Sequence, residues 1–200
     1  MSTPNPFRYP PPAPCRKHAP SGYADYRSYR PWLRDEFMFR CAYCLQRETW
    51  VRRFGQFDID HFQPQILRPD ITVSYENLVY SCHGCNLVKG VNTLEVPSSV
   101  SLRVDRDGVI SSLNDHGERI IDVLCLDDPE NTRYRRMIIG IIRSLSRTEE
   151  GRETFLLMMG FPTDDLPDLS RLTCDNSRPQ GVADSWRAKQ ERGELPLFYE

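Results

Sequence analysis

The sequence predicts an α+β protein that combines short strands with several helices. The stretch FDIDH, residues 57–61, has the composition of a β-strand, in which successive side chains point to opposite faces. After Asn131, apolar residues from Met137 to Leu145 recur at the spacing of one helix face. Two Cys-x-x-Cys pairs, at 41–44 and 82–85, lie on either side of the predicted strand. Together these features predict a small mixed core that a bound metal ion stabilises.

The composition excludes several classes of protein. A chain of 200 residues can form one domain with a sizeable core. It is 39% hydrophobic and 27% charged, as globular proteins are, and no apolar run approaches the length of a membrane span, so we expect no membrane role. Prolines stand where a secretory signal would carry an apolar helix, which favours a cytoplasmic location. The seven cysteines then need an explanation other than disulfides.

Charge is unevenly distributed along the chain. The formal net charge is −2, which alone argues against a nucleic-acid partner. Residues 1–57, however, contain ten Lys or Arg and four Asp or Glu, whereas residues 101–200 contain fourteen and nineteen. The excess positive charge in the first part keeps a nucleic-acid partner open.

We expect three regions along the chain. Residues 1–20 contain seven prolines and predict an N-terminal arm that is extended on the surface or disordered. Residues 21–95 are dense in Cys, His, Asp and Asn, the residue types that carry metal and acid–base chemistry. Residues 96–200 predict a mainly helical extension that packs on this core.

Local signals predict the elements within these regions. The turn pair Asp107-Gly108, between VSLRV and VISSL, predicts a β-hairpin. The apolar run within residues 117–126 is typical of a strand. Helices are predicted over residues 31–39, 131–147, 149–159 and 184–192.

The two Cys-x-x-Cys pairs predict a structural zinc site. Each pair can place two thiolates on one metal ion from a tight turn, and two pairs complete a tetrahedral shell. Four soft ligands leave no open position, so one Zn²⁺ per chain would stabilise the fold and perform no chemistry. Buried unliganded cysteines and a redox pair are the alternatives. The predicted ligands are Cys41, Cys44, Cys82 and Cys85.

Five motif elements between residues 38 and 92 occur in a recognisable order: CAYC, DIDHFQP, YENLVYSC, CHGC and CNLVKG. In this part the sequence resembles the HNH endonucleases, specifically the branch with a Cys-x-x-Cys pair on each side of the Asp-His strand. The resemblance covers about a quarter of the chain. It implies a ββα-metal (His-Me finger) nuclease core stapled by a four-cysteine zinc site, with helical extensions.

The resemblance also implies a role for each of four residues. His61 would be the general base, because a neutral imidazole can take a proton from water at neutral pH. Asp60 and Asn86 would offer oxygen ligands to a catalytic Mg²⁺ or Mn²⁺. Opposite faces of the strand would send Asp60 to the ion and His61 to the water. Asn77 would brace the loop and orient the histidine through hydrogen bonds that fix its imidazole, without touching substrate.

Several cations near the motifs are candidates for phosphate contact. Lys89 lies one turn after Asn86 on the predicted helix, and three arginines follow the first cysteine pair. A solvated run of charge explains the arginines equally well. The candidate contacts are Lys89, Arg47, Arg52 and Arg53.

The combined expectation is a metal-dependent HNH endonuclease that hydrolyses phosphodiester bonds in double-stranded DNA. A regulatory or targeting protein subunit, as in a phage-defence or restriction system, would fit the same chemistry. The alternative is a zinc-ribbon module that binds nucleic acid without turnover. Asp60, His61 and Asn86 together argue against that alternative, because a pure binder needs no base beside a metal ligand.

Overall fold

The structure, a computed structural model, describes residues 5–12, 16–51, 57–172 and 179–199. Within these ranges helices combine with two small antiparallel sheets, which confirms the predicted α+β class. None of the described helices is long and apolar enough to cross a membrane. The elements are α1 Arg30–Glu36, β1 Phe57–His61, β2 Leu78–Cys82, α2 His83–Lys89, β3 Leu102–Val104, β4 Ile110–Ser112, α3 Asp115–Leu124, α4 Pro129–Leu145, α5 Arg152–Met159, α6 Pro179–Ala183 and α7 Trp186–Glu191.

Strands β1 and β2 pair antiparallel, and α2 follows β2 without a connection. The register sets Phe57 opposite Cys82 and His61 opposite Leu78. All five residues of β2 are buried, so this strand forms the centre of the core. Because side chains alternate along β1, Asp58 and Asp60 share the face on which α2 lies.

Helix α1 leads the chain into the first cysteine pair. Its Trp32 and Leu33 are fully buried. The helix ends at Glu36, three residues before the predicted end, because Met38 and Phe39 adopt left-handed backbone angles with φ of 54° and 56°. Those two residues reverse the chain and deliver it to Cys41.

The C-terminal region contains the predicted hairpin and all three predicted helices, each within three residues of its expected limits. Strands β3 and β4 flank Gly108, whose φ of 78° suits glycine. Helix α4 begins after Asp128, whose side chain accepts a hydrogen bond from the Glu130 backbone N–H. The buried Arg135 of α4 donates to the Gly108 carbonyl at 2.7 Å and to the Leu126 carbonyl at 2.8 Å. One side chain thus joins the hairpin to the helices.

The prediction of a strand-like run within residues 117–126 is wrong. Residues 115–124 form α3, which buries Ile120 and Leu124 on one face. Asn114 caps the helix by accepting a hydrogen bond from the Gly117 backbone N–H at 2.8 Å. Adjacent isoleucines favour a strand locally, but the cap and the helical spacing of the buried residues decide the outcome.

The described part of the N-terminal arm is neither disordered nor confined to the surface. Phe7 and Tyr9 are only 1% and 4% exposed and belong to the main hydrophobic core. The Tyr9 hydroxyl donates to the Tyr43 carbonyl at 2.8 Å. His18 is buried against Asp35 of α1, with 2.7 Å between Nε2 and Oδ1. Aromatic side chains spaced between the prolines explain this burial, because they gain far more from leaving water than prolines do.

Candidate zinc centre and active site

The four predicted zinc ligands lie together. Their sulfur atoms all lie within 4.8 Å of one another. The Cys44 and Cys82 sulfurs are 3.7 Å apart, close to the spacing of about 3.8 Å that tetrahedral coordination with ordinary Zn–S bonds requires. The four cysteines therefore fit a zinc site, as the sequence predicted.

Backbone hydrogen bonds bring the two cysteine pairs to one place. The Ala42 N–H donates to the Tyr80 carbonyl at 2.9 Å, which attaches the first pair to β2 two residues before Cys82. The first pair turns tightly, with Cys41 N–H donating to the Gln46 carbonyl at 2.8 Å and Leu45 at a φ of 62°. The second pair occupies the start of α2. These backbone contacts bring the two cysteine pairs next to each other, and Cys82 Sγ also accepts a hydrogen bond from the Cys85 N–H.

The electrostatics of the four sulfurs suit a bound cation. Hydrogen bonds from Cys41, then Cys44 and Cys85, lower the pKa of Cys82. The same close packing, with Cys41 as the largest contributor, raises the pKa values of Cys44 and Cys85. Without an ion, three neutral thiols can stabilise one thiolate by hydrogen bonds, but four thiolates would repel one another. Zn²⁺ removes that repulsion, so the donor set fits the ion.

His61 is held by the connection between β1 and β2. It is 6% exposed, and its Nε2 lies 2.9 Å from the Thr72 carbonyl oxygen. Since a carbonyl only accepts, this contact requires the proton to be on Nε2 and leaves a lone pair on Nδ1. The Gln65 side-chain amide nitrogen lies beside the ring, 3.2 Å from Nδ1 and 3.1 Å from Nε2, and Nδ1 is the one that can accept from it in this tautomer. The ring of Tyr26 packs edge-on at 4.9 Å.

The protonation state of His61 suits a base. Burial lowers the pKa of His61 below its usual 6.5, while the Thr72 carbonyl and Asp60 oppose the shift only partly. The imidazole is therefore neutral at pH 7, with Nδ1 as its acceptor atom.

Asn77 ties together both ends of the connection that carries Thr72. Its Oδ1 accepts from the Gln63 backbone N–H at 2.8 Å, and its Nδ2 donates to the Gln63 carbonyl at 3.1 Å and the Ile71 carbonyl at 3.3 Å. The side chain is 3% exposed. These contacts brace the loop next to Thr72, but they do not include the expected hydrogen bond to the imidazole of His61, whose ring contacts Thr72 and Gln65 instead.

Asp60 lies in a buried ion pair. Lys89 donates to Oδ1 at 3.0 Å, and the Tyr43 hydroxyl donates to Oδ2 at 2.8 Å. The carboxylate is 5% exposed. Burial raises the pKa of Asp60, and Lys89 and Tyr43 offset only part of that rise. Both carboxylate oxygens are thus engaged by donors of this chain.

Asn86 pairs with Asp58, whereas the sequence predicted that Asn86 and Asp60 would hold one metal ion together. Its Nδ2 donates to Asp58 Oδ2 at 3.0 Å, and His83 Nδ1 lies 2.8 Å from the same oxygen. In this conformation Asn86 therefore pairs with Asp58 while Asp60 pairs with Lys89. The two predicted ligands of the catalytic ion do not form a shared site here, because a lysine ammonium occupies the position next to Asp60.

Two of the four predicted phosphate contacts are buried. Lys89 is 0% exposed and also donates to the His61 carbonyl at 2.8 Å, so its ammonium does not reach the surface. Arg47 is 2% exposed and packs 3.9 Å from the centre of the Tyr199 ring. Desolvation lowers the pKa of Arg47 to about 9. The other two, Arg52 and Arg53, lie outside the described residues.

Comparison with known proteins gives an informative match. The chain is similar to Septu protein PtuB of Bacillus thuringiensis, with 27% identity over 128 residues. The matched region covers 59% of this chain and 49% of that protein, so the chain spans about half the length of the curated relative. No family model matches the chain.

Sequence reasoning did not find three residues that shape the site. Thr72 acts through its backbone carbonyl, which no side-chain pattern signals. Tyr43 lies between the two cysteines of CAYC, a motif that was interpreted only for its cysteines, yet its hydroxyl donates to Asp60. Asp58 was detectable, because strand alternation puts it on the same face as Asp60 and therefore towards α2.

Proposed function

We propose that this protein is a metal-dependent endonuclease of the HNH kind that hydrolyses phosphodiester bonds in double-stranded DNA. The observation that carries the proposal is the contact between His61 Nε2 and the Thr72 carbonyl. It leaves Nδ1 as the atom that accepts a proton, in an imidazole that is neutral at pH 7. A general base needs one ring nitrogen held as a donor so that the other stays available to accept a proton, and this contact provides that arrangement.

In the proposed reaction His61 Nδ1 takes a proton from the attacking water. Gln65 lies against Nδ1 and is exposed, so its side chain has to move aside before water can bind there. Asn77 holds the loop so that the Thr72 carbonyl keeps the imidazole in one tautomer. This carbonyl also stabilises the imidazolium that forms when the proton arrives.

A divalent ion, Mg²⁺ or Mn²⁺, would supply charge stabilisation at the scissile phosphate and the leaving oxygen. Asn86 has the amide oxygen that such ions accept. Asp60 fits the ion less well, because its carboxylate is engaged by Lys89 and Tyr43. The proposed pair of ligands therefore requires that Lys89 withdraw from Asp60.

The similarity to Septu protein PtuB supports a role in phage defence. A defence nuclease acting on DNA needs a means of restraint, and we propose a regulatory or targeting protein subunit as that means. The burial of His61 supports this part of the proposal, because a covered base has to be uncovered before it acts.

The test is cleavage of supercoiled plasmid with and without added Mg²⁺ or Mn²⁺. Wild-type protein should nick or linearise the plasmid only with the ion, and His61→Ala should lower the rate by about 10²- to 10⁴-fold. His116→Ala is the matched control, since His116 is a partly exposed histidine whose ion-pair partner is Glu95, at 3.8 Å. Equal cleavage rates for His61→Ala and wild type would contradict the assignment of His61 as the general base.

A second function, binding of nucleic acid without turnover, is favoured by one observation. The Lys89–Asp60 pair occupies the position at which the catalytic ion would need a ligand. A wild-type protein that binds DNA but cleaves none, with either ion and with candidate partner subunits present, would select this function over the nuclease.

A further inference from the structure

A cleft in the C-terminal region is lined by arginines. It lies where α4 ends and α5 begins, next to the turn between β3 and β4, and encloses about 910 Å³. This volume lies within the range of ordinary ligand-binding pockets. The four cations among its described lining residues are Arg106, Arg143, Arg147 and Arg152.

Within the described part of the chain, these arginines have no acidic partners. None of the four lies within 4.0 Å of a described carboxylate, as is also true of the exposed Arg103 and Arg119, whereas Arg187 and Arg192 are paired with glutamates. Arg143 instead donates to the Arg106 carbonyl at 3.4 Å. This contact joins the end of α4 to the turn between β3 and β4, so the two arginines come from neighbouring segments. Glu149 is the acidic side chain among the described lining residues.

The cleft collects positive charge in a region that is acidic overall. Residues 101–200 carry fourteen cations and nineteen acids, and four of these cations line this one cleft beside one described acid, Glu149. Four like charges around one cavity repel one another, and an anion between them would remove the repulsion. Guanidinium groups match the geometry of phosphate oxygens, which they bind in pairs of hydrogen bonds.

Apolar side chains form another wall of the cleft. Phe155 and Phe198 pack edge to face with 5.3 Å between ring centres, and Leu197 is 68% exposed. Phe155 itself is 8% exposed, so the apolar surface open to a ligand comes from Leu197 and the partly exposed Phe198. A nucleobase or sugar provides the apolar face that this wall can cover while the phosphates meet the arginines.

We propose that this cleft binds a phosphate-bearing ligand, either a free nucleotide or a segment of nucleic acid. The inference rests on the cleft alone and does not depend on the proposed nuclease activity. It also gives the chain an exposed set of phosphate-binding groups that the buried Lys89 and Arg47 do not supply.

The test is calorimetric titration of the full chain with two probes, ATP and a short oligothymidine, without added divalent ions. The cleft variant combines Arg143→Gln, Arg147→Gln and Arg152→Gln. The matched control removes the same charge elsewhere, with Arg103→Gln, Arg119→Gln and Arg187→Gln, none of which lines the cleft. All six side chains are exposed or partly exposed, and equal melting temperatures and zinc contents verify that both variants fold.

For one or both probes, the Kd of the cleft variant should be about tenfold or more above that of wild type. The Kd of the control variant should stay within about threefold of wild type. For the oligothymidine, the slope of log Kd against log salt should fall by about 2 in the cleft variant alone. Loss confined to ATP identifies a nucleotide site, and loss confined to the oligothymidine identifies a nucleic-acid site. Equal weakening in both variants, or no binding of either probe by wild type below about 1 mM, overturns the proposal.

Discussion

The ammonium of Lys89 lies 3.0 Å from the Asp60 carboxylate, and both groups are buried. The pair joins the last residue of α2 to the strand that carries His61, and a second hydrogen bond from Lys89 to the His61 carbonyl reinforces the junction. A single lysine thus fixes the backbone of the proposed base. Its contribution should appear in stability, which distinguishes it from a phosphate-binding lysine at the surface.

Lys89→Met should lower the free energy of unfolding by about 3 kcal/mol, because it leaves the Asp60 carboxylate buried without its counter-charge. The double variant Lys89→Met with Asp60→Asn should recover part of that loss, since it buries no unpaired charge. Urea unfolding measures both. Lys189→Met, at a partly exposed lysine, should cost less than about 1 kcal/mol. Unchanged stability in Lys89→Met would mean that the lysine is free to leave Asp60.

Asn77→Ala tests whether Asn77 positions His61 for catalysis or only stabilises the fold. It removes three hydrogen bonds and should cost about 1 to 3 kcal/mol of stability. If the loop holds His61 as proposed, plasmid cleavage should fall further than the fraction of folded protein does. Asn131→Ala, which removes an exposed hydrogen bond to the Cys125 carbonyl, is the control. Cleavage that declines only in step with folding would assign Asn77 a structural role alone.

Zinc and the catalytic ion should be lost under different conditions. Cys82→Ser should lose zinc and melt early, because the thiolate shell forms only in the folded state. Cys125→Ser removes an exposed thiol outside the cluster and should keep one zinc per chain, by elemental analysis. Mild EDTA should stop cleavage while zinc content and melting temperature stay constant. Stable wild-type protein that contains no zinc would contradict the assignment of the four cysteines.

Asp35 makes the fold sensitive to acid. Burial alone would raise the pKa of Asp35, but the hydrogen bond from His18 and the charge of Lys17 lower it below the usual 3.8. A lowered pKa stabilises the folded state above pH 3.8, and the contribution is lost as the pH falls through the folded value. The difference in melting temperature between wild type and Asp35→Asn should therefore be constant from pH 7 to about pH 5 and shrink below about pH 4. A difference that does not vary with pH would show that the charge of Asp35 is unimportant.

The sequence predicted those parts of the fold that depend on local chemistry. The cysteine spacing predicted that the four cysteines lie together, and the Asp-Gly pair predicted the hairpin of β3 and β4. Helix α4 was predicted within two residues at each end, because its apolar spacing is long and regular. Helix α3 was missed because Ile120 and Ile121 favour a strand when the Asn114 cap is overlooked.

Contacts between distant segments could not be predicted in this way. Nothing in CNLVKG indicates that Lys89 turns inward to a carboxylate 29 residues earlier. Likewise, the pairing of Asn86 with Asp58 depends on the angle at which α2 crosses β1, which tertiary packing sets. The polarity of Lys89 suggested an exposed residue, but a suitable buried partner outweighed that preference.

Asp35 also constrains when the chain can finish folding. Its Oδ2 accepts a hydrogen bond from the Trp186 backbone N–H at 2.8 Å, and its carbonyl accepts from the Trp186 indole at 2.9 Å, across 151 positions of sequence. A ribosome must therefore synthesise the chain at least through Trp186 before α1 can gain these contacts. Until then His18 and Lys17 are the partners available to Asp35. Closing so long a loop is slow, which makes this junction a late step of assembly and a place where incomplete chains remain open to proteases.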